Sequence, residues 1–101
     1  MILSIFGTTI PVNAATVVGK VTIKSVDNID TTTQKITWDK LKNVSGYQIY
    51  YKSSAGSYKK LATVSKSKSS YTIKNLDTNT KYFYKVRAYK TINKKPKYGK
   101  F

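Results

Sequence analysis

The chain predicts a small all-β protein built as a sandwich of two sheets. From Val21 onward, apolar residues recur at every second position, which is the side-chain period of a strand and not of a helix. Turn-forming residues interrupt this pattern at roughly 8–12-residue intervals, a spacing typical of β-sandwiches and barrels. Most periodic positions hold β-branched residues or tyrosines, which strands favour. With 101 residues there is room for one such domain.

Six strands follow one another along the chain. The apolar residues that mark them are Val21, Ile23 and Val26; Ile36 and Trp38; Tyr47, Ile49 and Tyr51; Leu61 and Val64; Tyr71 and Ile73; and Tyr82, Tyr84, Val86 and Ala88. Polar segments at 27–33, 43–46 and 53–57 separate the first four strands, and we expect them to be turns or loops.

The segment 76–88 carries the most specific pattern. Leu76 precedes a short polar turn, after which Tyr82 opens a strand with apolar residues at alternate positions. Together with ITW at 36–38 and GYQIYY at 46–51, this segment resembles a fibronectin type III domain of the lysine- and tyrosine-rich kind found in secreted bacterial proteins. The resemblance runs from about residue 21 to residue 88 and continues more weakly to residue 99.

The resemblance implies an immunoglobulin-like β-sandwich of seven strands. Trp38 would lie in its core, and the hydroxyl of Tyr82 would hydrogen-bond to the backbone near Leu76 or Asp77. These three residues, Trp38, Leu76 and Tyr82, are therefore interpreted as structural. Thr78 departs from the family pattern, which usually has proline in this turn.

The last strand is expected to be short or missing. Only residues 97–101 remain for a seventh strand, which would leave an open sheet edge beside residues 82–89. The domain is accordingly interpreted as residues 21–101, truncated at its C-terminal end, and the chain as a fragment of a longer protein.

The N-terminal segment differs in composition from the rest. Residues 1–15 carry no charge, and Pro11, Val12 and Ala14 resemble the end of a secretory signal peptide cleaved after Ala14. Residues 1–14 are therefore interpreted as a signal peptide and 15–20 as a linker, although no basic residue follows Met1. The alternative is a β-strand or a tail. The apolar stretch is shorter than the roughly 18 residues of a membrane-spanning helix, so we expect a secreted or cell-surface location without a membrane span.

The net charge of +15 is the second strong feature. Nineteen basic residues, all lysine except Arg87, face four acidic ones: Asp27, Asp30, Asp39 and Asp77. Such a surface attracts polyanions. Because lysine is a hydrated point charge and planar, bidentate recognition favours arginine, the composition indicates diffuse attraction and no specific nucleic-acid recognition.

The residue types argue against an enzyme. Without histidine, cysteine or glutamate, no Ser-His-Asp or Cys-His arrangement can form. Asp27 and Asp30 are expected in an exposed loop, and Asp39 and Asp77 at loop or cap positions. We therefore predict no catalytic, metal or cofactor site.

One face of the predicted sheet is a candidate binding surface. By alternation, Tyr50 on the third strand and Phe83, Lys85, Arg87 and Tyr89 on the sixth point outward together. Aromatic rings interleaved with cations can stack on sugars or bases while they hold anionic groups. The plainer interpretation, which we favour, is that these side chains only stabilise the sheet.

Residues 90–100 hold five lysines. They could form an anion-binding arm, but we favour a solvated loop.

The sequence therefore predicts a non-catalytic extracellular module of a longer bacterial protein. It would act as a spacer or adhesion domain, with its lysine charge holding it to an anionic cell-wall polymer. The alternative is a carbohydrate-binding accessory module of a polysaccharide-degrading enzyme, with Tyr50, Phe83 and Tyr89 as a stacking platform. Nucleic-acid binding through charge alone is a third possibility, against which the predicted export argues.

Overall fold

Two antiparallel sheets make up residues 17–101, the part of the chain that this computed structural model describes. The predicted signal peptide at 1–14 lies outside these residues. The strands are β1 (Ile23–Asp30), β2 (Thr33–Trp38), β3 (Gly46–Ser53), β4 (Lys59–Ser65), β5 (Ser70–Ile73), β6 (Tyr82–Ile92) and β7 (Lys95–Tyr98). One sheet has the order β1-β2-β5 and the other β4-β3-β6-β7. Over the same residues, no helix is long and apolar enough to cross a membrane.

The core lies between the sheets and comes from alternate residues of the central strands. Six side chains from β2, β3 and β6 are at most 2% exposed: Ile36, Trp38, Tyr47, Ile49, Val86 and Ala88. The rings of Trp38 and Tyr47 pack with centroids 5.4 Å apart. The hydroxyl of Tyr47 accepts a hydrogen bond from the backbone N–H of Leu41 at 2.8 Å. The predicted all-β sandwich is thus confirmed.

The turn before β6 is fixed by a tyrosine. The backbone N–H of Asp77 donates to the Tyr82 hydroxyl at 2.9 Å, which is the hydrogen bond that the family resemblance implies. Leu76 beside it is 7% exposed, and its N–H donates to the carbonyl of Thr32 at 2.9 Å. This turn is therefore tied both to β6 and to the turn between β1 and β2.

Strand β1 is longer than its sequence pattern predicts. Residues 27–30, expected as a loop, continue the strand, and Asp27 and Asp30 pair with Lys35 and Thr33 of β2. The loop prediction was wrong because β1 is an edge strand. From Asp27 onward its side chains are exposed on both faces, so pairing requires no apolar alternation.

A seventh strand is present, and the prediction of a solvated loop over 90–100 was wrong. Asn93 and Lys94, with φ of 52° and 65°, form a tight hairpin turn of the kind that connects twisted strands. Strand β7 begins directly afterwards, at Lys95, and is four residues long. Beyond it, the N–H of Gly99 donates to the carbonyl of Ala88 at 2.8 Å. The open edge expected beside residues 82–89 is therefore limited to residues before Ala88.

The residues that precede β1 contact the end of β7. Val18 packs against the core, and Gly99 lies so close to Gly19 that a Cβ on Gly99 would be 2.4 Å from the Gly19 carbonyl oxygen. Val18 and Gly19 of the predicted linker are therefore packed against the sandwich.

Candidate functional site

The candidate site is the outer face of the four-stranded sheet. We call it the aromatic–cation face and define it by Tyr50 and Lys52 of β3, Tyr58 before β4, Phe83, Lys85 and Arg87 of β6, Tyr98 of β7, and Phe101. The pairing of β3 with β6 sets Tyr50 opposite Lys85 and Lys52 opposite Phe83. Directly opposite residues project from the same side of a sheet, so each ring is placed beside a cation.

Lys85 lies at the centre of the face. Its ammonium nitrogen is 4.2 Å from the centroid of the Tyr58 ring and 4.1 Å from that of Phe101. The Tyr50 ring is 6.0 Å away. Because the faces of aromatic rings carry negative potential, these contacts attract and orient the cation without any carboxylate.

Arg87 is held more firmly, by hydrogen bonds as well as rings. Its Nε donates to Oε1 of Gln48 at 2.9 Å, and its Nη2 donates to the Tyr50 hydroxyl at 3.3 Å. The guanidinium carbon lies 3.9 Å from the centroid of Tyr98. Gln48 is only 7% exposed although it is polar and lies on the outer face. The hydrogen bonds to Gln48 and Tyr50 and the contact with the Tyr98 ring thus orient the guanidinium.

The other end of the face repeats the pattern around Phe83. The ammonium groups of Lys52 and Lys81 lie 5.5 Å and 5.3 Å from the centroid of this ring. Lys52 is also 5.4 Å from the centroid of Tyr58. Rings and cations therefore alternate along the whole face.

Tyr89 is placed differently from the other four residues of the predicted surface. Tyr50, Phe83, Lys85 and Arg87 belong to the network of cation and ring contacts described above. Tyr89 instead lies over Gly46, where an added Cβ would be 2.9 Å from its hydroxyl oxygen. Its ring thus packs on the backbone at the end of the face.

Four members of the face were missed from the sequence: Lys52, Tyr58, Tyr98 and Phe101. The position of Tyr58 depends on a register shift between β3 and β4 at Ile49, which no residue pattern marks. Tyr98 could have been found by pairing residues backwards from the Asn93–Lys94 turn, since it lies opposite Tyr89.

The charges of the two sheets differ sharply. The strands of the four-stranded sheet carry eight basic side chains and no carboxylate: Lys52, Lys59, Lys60, Lys85, Arg87, Lys90, Lys95 and Lys97. Those of the three-stranded sheet balance two lysines with two aspartates. Within residues 17–101 the one ion pair joins Lys24 to Asp39 at 3.8 Å, off the four-stranded sheet. The aromatic–cation face therefore has a positive potential that no acidic side chain of its own sheet offsets.

A surface depression outside the aromatic–cation face has a different character. It measures about 660 Å³ and lies between the β1–β2 turn and residues 76–82. Asp30 lines this depression, and its carboxylate accepts a hydrogen bond from the N–H of Thr32 at 2.9 Å. That bond, followed by one from the Thr33 side chain, holds the pKa of Asp30 below its ordinary value. Among residues 17–101 no three acidic, histidine or cysteine side chains cluster as metal ligands would.

Together, the two sheets and the aromatic–cation face define an immunoglobulin-like β-sandwich that displays a charged sheet face. The sequence model of the fibronectin type III domain matches residues 19–99. The chain belongs to the fibronectin type III family. Domains of this family are generally non-catalytic structural or binding modules, often within larger multidomain proteins and commonly extracellular or at the cell surface.

Solved structures agree with this assignment. The FN1–FN3 domains of chicken CNTN1 are 26% identical, with a TM-score of 0.68 over 83% of this chain and 27% of theirs. A two-domain fibronectin type III segment of chicken tenascin is 21% identical, with a TM-score of 0.64 over 82% of this chain and 48% of that one. An FN3 domain of human collagen XX is 14% identical, with a TM-score of 0.59, and the match covers 99% of this chain and 94% of that one.

The chain thus spans less than half the length of the first two structures, and the likenesses below 25% identity show the fold alone. No curated protein sequence is significantly similar to this chain.

Proposed function

We propose that this domain is a non-catalytic spacer or adhesion module of a secreted or surface-attached bacterial protein, held to an anionic cell-wall polymer by its basic sheet. The aromatic–cation face is the observation that carries the proposal. Its cations are oriented by rings and lack carboxylate partners within their own sheet. A cation that is already positioned, and not engaged by an internal anion, remains available to an external one.

The carbohydrate-binding alternative has weaker support from the same contacts. Stacking on a neutral sugar requires an open ring face. The edge of Phe101 packs against Tyr50 with centroids 5.0 Å apart, and Arg87 lies 5.5 Å from the Tyr50 ring. Tyr89 packs over Gly46. Of the proposed stacking residues, only Phe83 is as much as 36% exposed, and two lysines flank it.

Co-sedimentation with purified bacterial cell walls tests the proposal. We expect the protein to sediment with intact walls at low salt and to be released as salt rises, because the Debye length falls from about 10 Å at 0.1 M to about 3 Å at 1 M. Walls stripped of their anionic polymers serve as the matched control and should retain far less protein. Retention that is insensitive to salt, or equal on stripped walls, would overturn the proposal.

Affinity electrophoresis through neutral glucans or chitin tests the alternative. A carbohydrate-binding module would be retarded at high salt, and Tyr50→Ala and Phe83→Ala would abolish the retardation without lowering the unfolding temperature. Under the proposal made above, wild-type protein and both variants migrate alike in these gels.

The export that this function requires depends on the N-terminal segment. We propose that residues 1–14 act as a signal peptide, followed by a linker at 15–20 and the domain at 21–101. N-terminal sequencing of the exported protein should then begin at Ala15. An exported form that retains Met1 would contradict the proposed cleavage.

A further inference from the structure

The cations of the aromatic–cation face form a regular row. Lys85 and Arg87 are two residues apart on β6, and Lys52 lies opposite Phe83, one further step of two residues along the same strand. Residues i and i+2 of a strand are separated by about 6.7 Å. Three positive positions therefore follow one another at intervals of about 7–8 Å, two of them on β6 and the third, Lys52, diagonally across on β3.

Each of these cations is held by a ring. Lys52 contacts the rings of Phe83 and Tyr58, Lys85 those of Tyr58 and Phe101, and Arg87 that of Tyr98. The sheet sets the spacing of the three Cα positions, and the ring contacts orient the charged heads, which therefore lose less conformational freedom when they bind an anion than free lysines would. A row of oriented charges fits a ligand whose own charges repeat at the same interval.

The covalent geometry of phosphodiester polymers supplies that interval. An extended chain gains about 3.6 Å for every three covalent bonds. A phosphate joined to the next through a three-carbon polyol has a repeat of six bonds and therefore a charge spacing of about 7 Å. Nucleic acid has a similar backbone, but its bases gain affinity from open aromatic faces, and here each ring of the face already has a cation within 6.0 Å of its centroid.

We propose that the aromatic–cation face binds an extended phosphodiester-linked polyol chain that runs along β6 and crosses onto β3, with successive phosphates at Arg87, Lys85 and Lys52. This inference rests on the proposed function and specifies the anionic polymer and the register in which it binds. The bound chain requires no base, no sugar stacking and no metal ion.

Titration of the full chain with defined oligomers tests the inference. The probes are a hexamer of glycerol phosphate, a hexamer of glutamate as a polycarboxylate, and oligo-dT of six nucleotides. Because three phosphates are contacted, log K for the glycerol phosphate hexamer should fall with log salt with a slope of about −2. The other two oligomers should bind more weakly at the same salt concentration.

Two double variants of equal net charge separate register from diffuse charge. In the test variant, Lys85→Gln is combined with Arg87→Gln. In the control, Lys35→Gln on β2 is combined with Lys68→Gln, both at exposed positions away from the face. The test variant should lose about tenfold in affinity at 0.1 M salt and reduce the slope to about −0.7, while the control keeps the wild-type slope. A variant with Arg87→Lys keeps the charge and should retain most of the affinity.

The outcomes distinguish this inference from the proposed function. Equal losses in both double variants, or equal binding of the glutamate hexamer, would overturn the inference while salt-dependent wall retention still supported the function. Tighter binding of oligo-dT, abolished by Phe83→Ala, would replace the polyol chain with single-stranded nucleic acid. Thermal unfolding of every variant checks that lost affinity does not result from lost folding.

Discussion

Gly46 illustrates how a single residue shapes the candidate site. It begins β3 beneath the ring of Tyr89, and an added Cβ would lie 2.4 Å from the backbone carbonyl oxygen of Val64 and 2.9 Å from Tyr89. Only a residue without a side chain lets β4 and the Tyr89 ring approach this closely.

Gly46→Ala should therefore destabilise the domain by about 1–3 kcal/mol, the usual cost of overpacking. The free energy of unfolding in urea measures this effect. Gly56→Ala is the control, because the nearest atom to its added Cβ would be the movable Ser53 side-chain oxygen, at 3.2 Å, and the Ser53 backbone would lie at an ordinary 3.9 Å. It should change stability by less than about 0.5 kcal/mol. Equal effects of the two substitutions would show that the close approach at Gly46 does not limit stability.

Tyr84 makes the stability of the domain pH-dependent in the alkaline range. Its hydroxyl donates to Oε1 of Gln34 at 2.6 Å and so links the two sheets. Burial, with smaller contributions from Tyr82 and Tyr51, raises the pKa of Tyr84 from 10.0 to about 12. A raised pKa favours the neutral hydroxyl in the folded state. Its contribution to stability is thus complete below pH 10 and is lost as pH rises through about 12.

Urea unfolding of wild type and Tyr84→Phe between pH 9 and pH 12 should separate this contribution from the effects of pH that the two proteins share. The wild type should lose stability relative to Tyr84→Phe between pH 10 and pH 12, because only the wild type carries the Tyr84 hydroxyl. Parallel curves across this range would show that Tyr84 ionises as freely in the folded protein as in the unfolded one.

At the scale of elements, burial determines which strands the sequence reveals. Strands β2, β3 and β6 supply the most deeply buried core residues, so apolar residues alternate along them and the sequence pattern reveals them. Strand β7 is exposed at every position and contains Pro96, which edge strands tolerate, so only its hairpin turn marks it. Edge strands pair through the backbone, which leaves little trace in the side-chain pattern.

The difference between side-chain alternation and strand pairing also explains which residues of the candidate site the sequence predicts. The period of two places Phe83, Lys85 and Arg87 on one face, and alternation on β3 adds Tyr50. Tyr58 could not be added, because its position depends on a register shift, whereas Tyr98 required the β6–β7 turn, which no glycine marks, to be recognised first. Alternation assigns a residue to a face, but its neighbours on that face depend on how the strands are paired.

The β6–β7 turn offers a direct test at this scale. Lys94 has a φ of 65°, which is unfavourable for a residue with a side chain, and tight turns of this type favour glycine after asparagine. Lys94→Gly should stabilise the hairpin by about 0.5–1 kcal/mol, because the relief of the left-handed conformation exceeds the cost of the added flexibility of the unfolded chain. The denaturant midpoint measures the gain. Lys95→Gly removes the same charge from within β7 and should destabilise, so a loss in both variants would contradict the turn assignment.

At the scale of the whole molecule, the positive charge of the strands is concentrated on one of the two sheets. A four-stranded sheet with eight basic side chains packs against a three-stranded sheet whose strands carry no net charge. Lys90 and Lys97 even lie directly opposite each other on β6 and β7. Like charges in such pairs destabilise a sheet, and a net charge of +15 adds repulsion over longer distances. Folding therefore brings like charges together, and a bound polyanion would reduce the repulsion between them.

This imbalance predicts that salt stabilises the domain. Raising sodium chloride from 0.01 M to 0.5 M should increase the unfolding temperature, because screening weakens repulsion among exposed charges. Lys97→Glu turns the Lys90–Lys97 pair into an attractive one and should reduce this dependence, with a gain at low salt of about 0.5–1 kcal/mol. Lys68→Glu makes the same charge change in the exposed β4–β5 turn and serves as the control, with a smaller gain expected. A temperature that stays constant or falls with salt would show that repulsion within the basic sheet does not limit stability. The proposed polymer would then have no repulsion to relieve, and its binding would have to rest on the direct contacts of Lys85 and Arg87.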